Sequence, residues 1–226
     1  MGTNITLTSA DGFEFSAYRA VPDGPAKGGV VVVQEIFGVN EHIRDVTDRF
    51  AAEGYVAIAP AIFDRQGPGF EVGYEPDDVA IAKERVGQGD FDDFLRDIAA
   101  TRNGLTAEGS VAIVGYCLGG SLAYAAATRL SGFDAAVGYY GGRIHSMRSE
   151  EPRCPVLLHF GTEDASIPMN EVDEVVAMQP AVDVHIHNAG HGFNCDLRTS
   201  YSPDAAATAW EATLKFLSKR TPPIHD

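Results

Sequence analysis

The feature that most constrains this chain is a ten-residue stretch, Val111 to Gly120, reading VAIVGYCLGG. Its first four residues are apolar and rich in β-branched side chains, the mark of a buried strand. Ser121 to Ala127, which follow, are mostly good helix formers. Between strand and helix stands Gly115-Tyr116-Cys117-Leu118-Gly119. A nucleophile-capable side chain with a glycine two places away on each side, set between a strand and a helix, is a nucleophile elbow, here with Cys in place of Ser. The spacing has a steric reason. The central residue sits in a strained turn, and strand and helix pass too closely for side chains at the flanking positions. An ordinary tight turn around a buried Cys gives the same local pattern, so the rest of the chain must decide.

Strands and helices alternate along the whole sequence. Ile5–Thr8 and Phe13–Ala20 alternate apolar and polar residues around Ser9-Ala10-Asp11-Gly12, which predicts an edge hairpin. Val30–Val33 is a continuous β-branched run, expected of a central strand covered on both faces. Asn40 is placed to cap a helix from Glu41 to about Glu53, and Gly54–Pro60 reads as another buried strand, so this span predicts a right-handed parallel crossover. Residues 61–76 are irregular and are expected over the carboxyl edge of the sheet. Asp77 to Val86 and Asp90 to Arg102 read as helices, the second carrying Phe91, Phe94, Leu95 and Ile98 at helical spacing. Beyond the elbow, strands are expected at Asp134–Tyr140, Val156–Phe160 and Val182–His187, and helices at Glu171–Met178 and Ala205–Ser218. Such alternation predicts a doubly wound, mostly parallel α/β sheet.

Composition narrows the partners. The 226 residues, 45% of them hydrophobic, suit a single domain over 1–226 with a full core. Acids outnumber bases by 32 to 17, a formal charge of −15, which argues against nucleic acid and anionic membranes as partners. There is no run of eighteen apolar residues to span a bilayer, and Met1-Gly2-Thr3-Asn4-Ile5 has neither the basic start nor the apolar stretch of a signal peptide. Three cysteines without framework spacing predict free thiols in a reducing cytoplasm. A monomer or small homo-oligomer is expected.

In a doubly wound sheet, ligands bind beyond the carboxyl ends of the strands. After the 156–160 strand stand Gly161-Thr162-Glu163-Asp164, and after the last strand Asn188-Ala189-Gly190-His191-Gly192. With Cys117, the chain order is nucleophile, acid, histidine, the order of α/β-hydrolases. Cys117 attacks as a thiolate, His191 handles its proton and later assists water, and Asp164 fixes the imidazole tautomer. Glu163 is the local competitor of Asp164. The backbone N–H groups of Leu118 and Ile36 are the expected oxyanion donors. His185-x-His187 could form one side of a metal site, but no matching acid or Cys sits at a strand end beside it, so no metal is expected. Cys154 and Cys195 read as structural thiols, and His42, His145, His159 and His225 show no spacing that demands a role. Glu35 follows four valines and points at the same mouth as Cys117, where an unpartnered carboxylate is costly. A salt bridge to an arginine or a helix-capping contact would equally account for it.

The segments QEIFGVN (34–40), GYCLGG (115–120), VGYYG (137–141) and AGHGF (189–193) resemble the dienelactone hydrolase (carboxymethylenebutenolidase) family, and the resemblance runs over nearly the whole chain. It implies an α/β-hydrolase fold without a large cap, a Cys117-Asp164-His191 triad, and a Glu35 that holds and activates the thiol. It further implies hydrolysis of an enol lactone through a cysteine acyl-enzyme, with no cofactor. The family binds its substrate carboxylate with two arginines, and the corresponding positions here are Ala82 and Cys195. Arg85, Phe37, Tyr140 and Phe193 are therefore the expected substrate contacts, with Lys83 and Arg198 as further basic residues in reach. The expected activity is cleavage of an activated ester or lactone. The alternatives are a carboxylesterase of other range, a non-catalytic thiol sensor or binding protein, and a metal-dependent hydrolase using His185, His187 and His191.

Overall fold

The structure, a computed structural model, describes residues 1–220. Eight strands form one sheet in the order β1-β2-β4-β3-β5-β6-β7-β8. They are β1 (Thr3–Thr8), β2 (Glu14–Ala20), β3 (Gly29–Val33), β4 (Val56–Pro60), β5 (Val111–Tyr116), β6 (Ala135–Tyr139), β7 (Val156–Gly161) and β8 (Asp183–His187). β1 and β2 form the expected antiparallel hairpin, and β2 runs antiparallel to β4. Every other pairing is parallel. This is the α/β-hydrolase arrangement, as expected from the sequence.

Six helices flank the sheet: α1 (Glu41–Ala52), α2 (Pro76–Gln88), α3 (Phe91–Asn103), α4 (Leu118–Arg129), α5 (Met169–Met178) and α6 (Pro203–Ser218). Phe50 of α1 and Trp210 of α6 meet at 4.7 Å between ring centres, so these helices share one face. Helices α3 and α4 pack together on the other. The four valines of β3 are fully buried between the two layers, and a run of this kind has no polar face to show. Asn40 caps α1 as expected, its side chain accepting from the Ile43 N–H at 3.3 Å. Asp90 caps α3 by accepting from the Asp92 N–H at 2.8 Å.

The departures are local. The strand expected from Gly54 starts at Val56, because Gly54 turns back with φ 94° and its N–H and that of Tyr55 still bond to α1 carbonyls. The helix expected from Asp77 takes in Pro76 as its first residue, where a missing N–H costs nothing. Helix α5 begins two residues earlier than expected, directly after Pro168. No described helix is long and apolar enough to cross a membrane.

Candidate active site

The elbow sits where β5 hands over to α4. Cys117 has φ 54° and ψ −113°, a conformation that L-residues with a Cβ adopt only under strain. The flanking glycines are what let it exist. A Cβ on Gly115 would collide with the Gly119 carbonyl, and a Cβ on Gly119 with the Val33 carbonyl. Helix α4 is buried from Leu118 to Thr128, which explains its small residues: Gly119, Gly120, Ser121 and four alanines let it lie close against β5 and β6. Its first N–H groups, Leu118 among them, have no partner within the helix and favour negative charge at Cys117.

Three side chains meet at the carboxyl end of the sheet. His191 Nε2 lies 3.1 Å from Cys117 Sγ, and His191 Nδ1 lies 2.7 Å from Asp164 Oδ2. Asp164 is held in place by the turn after β7, where its other oxygen accepts from the Ser166 N–H at 2.8 Å. The side chain of Asp164 is buried, whereas its competitor Glu163 is exposed. Burial disfavours a charged His191, but its bonds to Asp164 and Cys117 and the negative charge on both outweigh that and push the imidazole up to about 10.

Cys117 and His191 open onto a cavity of about 410 Å³, with Asp164 buried behind them. Ile36, Phe37 and Leu118 line it together with Val79, Lys83 and Val86 of α2. Arg143, Arg198, Ser121 and Ser166 add polar groups to the lining. The segment expected over the sheet edge is tied there by a bridge between Gly38 and Glu71.

Glu35 does not reach the thiol in this state. Its Oε1 accepts from Arg198 Nη1 at 3.0 Å. Arg198 arrives by crossing directly over Gly192, which has φ 80° and where any Cβ would overlap the guanidinium. The cation also lies 5.5 Å from the Phe37 ring centre and 5.7 Å from that of Tyr74.

A comparison with known proteins places this geometry. The dienelactone hydrolase family profile matches residues 15–221. The chain belongs to the dienelactone hydrolase family. It is 39% identical to a candidate carboxymethylenebutenolidase of Synechocystis, over 92% of this chain and 93% of that one. It is 32% identical to the carboxymethylenebutenolidase of a Pseudomonas species, over 96% and 95%. Among solved structures, a candidate dienelactone hydrolase from Klebsiella pneumoniae superposes with a TM-score of 0.84 at 31% identity, covering 97% of this chain and 99% of the other. The chain is accordingly a hydrolase of the ester or lactone type.

Of the substrate contacts expected from the sequence, the structure brings Phe37 to the cavity wall and leaves three elsewhere. Arg85 is turned away: its guanidinium donates to the Gln66 carbonyl at 2.5 Å and lies 4.6 Å from the Phe70 ring centre. Being two residues from Lys83 on α2, it projects from a different side of the helix. Tyr140 and Phe193 are buried behind the site rather than in it. Tyr140 supports the His191 ring at 5.1 Å, and Phe193 packs on Tyr140 at 5.2 Å. Ala82 and Cys195, the positions where the resemblance implied arginines, are fully buried.

Sequence reasoning missed three features. Arg143 at the cavity follows β6 in a loop without periodicity. The salt bridge to an arginine left open for Glu35 is made, and what the sequence did not give is its partner, Arg198, 163 residues away. His42, in the first turn of α1, is buried beside Glu35 and Cys195. Among the described residues no metal-ligating set forms around the His185-x-His187 pair; His187 Nε2 lies 3.1 Å from His159 Nδ1. His225 lies outside the described residues.

Proposed function

We propose that Cys117 is the nucleophile of a hydrolase that cleaves activated esters or lactones through a thioester intermediate. The observation that carries this is the continuous contact from Cys117 Sγ through His191 to Asp164 at the floor of an open cavity. Thiolate attack on the carbonyl carbon forms the C–S bond and places the negative charge on oxygen, facing the N–H groups of Leu118 and Ile36. Collapse of the tetrahedral adduct expels the leaving oxygen, which takes a proton from His191. Neutral His191 then draws a proton from water as the water attacks the thioester, and the thiolate departs.

The leaving group decides which substrates go forward. A thiolate leaves more readily than an alkoxide, so an adduct formed on a plain alkyl ester reverts. An enol leaves easily, so an enol lactone or an aryl ester proceeds. The wall supports a substrate that carries its own carboxylate. Lys83, Arg143 and Arg198 put three cations around an otherwise apolar cavity, which offsets locally the acidic surface of the chain and stands in for the arginines absent at 82 and 195. A substrate carboxylate competing for Arg198 would release Glu35, leaving a carboxylate free to take the thiol proton. The three free cysteines support a reducing, cytoplasmic setting.

The test is turnover of dienelactone and of a neutral aryl ester by the wild-type protein and by Cys117→Ala, with intact-mass detection of the acyl-enzyme. Expected are dienelactone cleavage by the wild type, an added acyl mass on Cys117, and no turnover by the variant. Cleavage of the aryl ester alone would keep the nucleophile and remove the anionic substrate. Turnover by Cys117→Ala at the wild-type rate would remove the mechanism.

A further inference from the structure

Behind the cavity wall, three side chains of metal-ligating type converge from three different elements. Glu35 comes from the loop after β3, His42 from the first turn of α1, and Cys195 from the loop after β8. One ligand atom from each lies within 4.8 Å of the other two. Glu35 is 1% exposed, His42 2% and Cys195 0%. Both ring nitrogens of His42 and Oε2 of Glu35 are buried without a hydrogen-bond partner. His42 Nδ1 also lies 3.6 Å from Asp196 Oδ1, beyond hydrogen-bond distance, and the Asp196 side chain is mostly exposed. Glu35 Oε1 has Arg198 and the Cys195 thiol has the Tyr74 hydroxyl, so the unpaired atoms are Glu35 Oε2 and the two His42 nitrogens, each costing about 1–3 kcal/mol when left so in a core.

We propose that Glu35, His42 and Cys195 form a binding site for a thiophilic divalent cation of the zinc class, separate from the Cys117-His191-Asp164 triad. Thiolate, imidazole and carboxylate are a donor set that zinc accepts, and soft sulfur excludes magnesium and calcium. A tetrahedral zinc with such ligands needs donor atoms about 3.5 Å apart, so side-chain rotations of roughly 1 Å close the set. Burial, with Glu35 nearby, pushes the Cys195 thiol up to about 11; the metal–sulfur bond forms as that thiol gives its proton to solvent. His42 binds neutral through one nitrogen, the form that burial favours. Three protein ligands leave a fourth position open.

Occupancy has a consequence for the neighbouring cavity. A cation on Glu35 competes with Arg198 for the same carboxylate. The Arg198 side chain is 20% exposed and lines the cavity, so it has somewhere to go. The cation therefore couples to the state of the cavity without touching Cys117.

The experiment uses the whole protein, reduced with a non-chelating phosphine and freed of metal by dialysis against chelator and then buffer. Cobalt(II) is titrated in, followed by zinc. Expected are one cobalt per chain, a thiolate-to-cobalt charge-transfer band, release of about one proton, and displacement by zinc. Cys117→Ala keeps the band. Cys195→Ala and His42→Gln, each checked for folding by circular dichroism, lose it and bind cobalt at least tenfold more weakly. Should Cys195→Ala fail to fold, His42→Gln decides alone. A band lost in Cys117→Ala would put the metal on the triad and overturn the proposal. Binding without a thiolate band would put it on a surface set such as His145 with Glu171 and Glu174, and would overturn it equally, as would no binding at all.

Discussion

His159 gives the chain a specific weakness in acid. It lies in the fully buried strand β7, its Nδ1 facing His187 Nε2 and its Nε2 facing Thr213 Oγ1, both at 3.1 Å. His185 on β8 and Tyr139 on β6 complete its surroundings. No carboxylate faces it, and burial, reinforced by the two neighbouring histidines, holds its ionisation well below the ordinary value of 6.5. The folded protein therefore keeps His159 neutral where the unfolded chain takes a proton. The stability this represents is present above pH 6.5 and is lost as pH falls through it. Each pH unit below 6.5 removes about 1.4 kcal/mol until the folded-state group titrates. Between pH 7.5 and pH 5.0 the loss from His159 alone is about 2 kcal/mol, a large share of a typical 5–15 kcal/mol. His159→Gln keeps a donor and an acceptor at this place but cannot titrate. Urea unfolding of both proteins under reducing conditions, at half-unit pH steps, gives the comparison. The variant starts less stable by a fixed amount, and the gap narrows by about 2 kcal/mol by pH 5.0. Two parallel curves would refute the reasoning, because the cost must depend on pH if it comes from a buried neutral imidazole.

Other outcomes follow from the site. Asp164→Asn removes the anion on His191 Nδ1, so the imidazole falls from its raised value, measurable by NMR, and kcat drops by about a hundredfold or more with little change in Tm. Gly192→Ala sets a Cβ against the Arg198 guanidinium at a backbone φ of 80°, which costs about 1–2 kcal/mol, or a few degrees in Tm. It also separates Arg198 from Glu35, so a drop in kcat beyond what the lost stability explains is expected. Lys83→Ala combined with Arg143→Ala raises KM for a carboxylate-bearing substrate about tenfold, equivalent to about 1.4 kcal/mol, and leaves KM for a neutral aryl ester unchanged. An equal rise for both substrates would show that the two cations shape the wall rather than recognise charge.

What was legible in the sequence is what strand ends dictate. Cys117 and Asp164 each follow a buried strand, and His191 the edge strand β8, by a few residues, and a parallel sheet carries all such positions to one edge. Strand order and chain order alone bring them together. The residues that the sequence hid reach the site from loops and helix faces. Arg198 has no periodicity to place it, and its path over Gly192 depends on a backbone turn that only the folded loop displays. His42 stands next to Glu41 at a helix start, where a polar residue is usually solvated, yet α1 turns it toward Glu35 and away from water. Arg85 and Lys83 were indistinguishable by charge and distance along the chain; a two-residue step around α2 sends one to the cavity and the other to Phe70.

His159 is the instructive case, because a signal for it existed. A histidine inside Val156-Leu157-Leu158-His159-Phe160, a strand with no polar face, must find partners within the core or be expelled from it. Its partners, His187 and Thr213, come from the neighbouring strand and from the closing helix. Tyr139 joins through the same hydroxyl, 2.7 Å from its own. The polar chain thus pins β6, β7, β8 and α6 together behind His191. Phe193 packs against His187 at 5.1 Å and against Tyr140 at 5.2 Å, and Tyr140 lies 5.1 Å from His191. By this path three rings, His187, Phe193 and Tyr140, stand between His159, which makes the fold acid-sensitive, and His191, the proposed proton carrier. A charge forced onto the His159–His187 pair would be felt first at the loop carrying His191. Activity should fall in acid before the chain unfolds, and in His159→Gln the fall should come at lower pH.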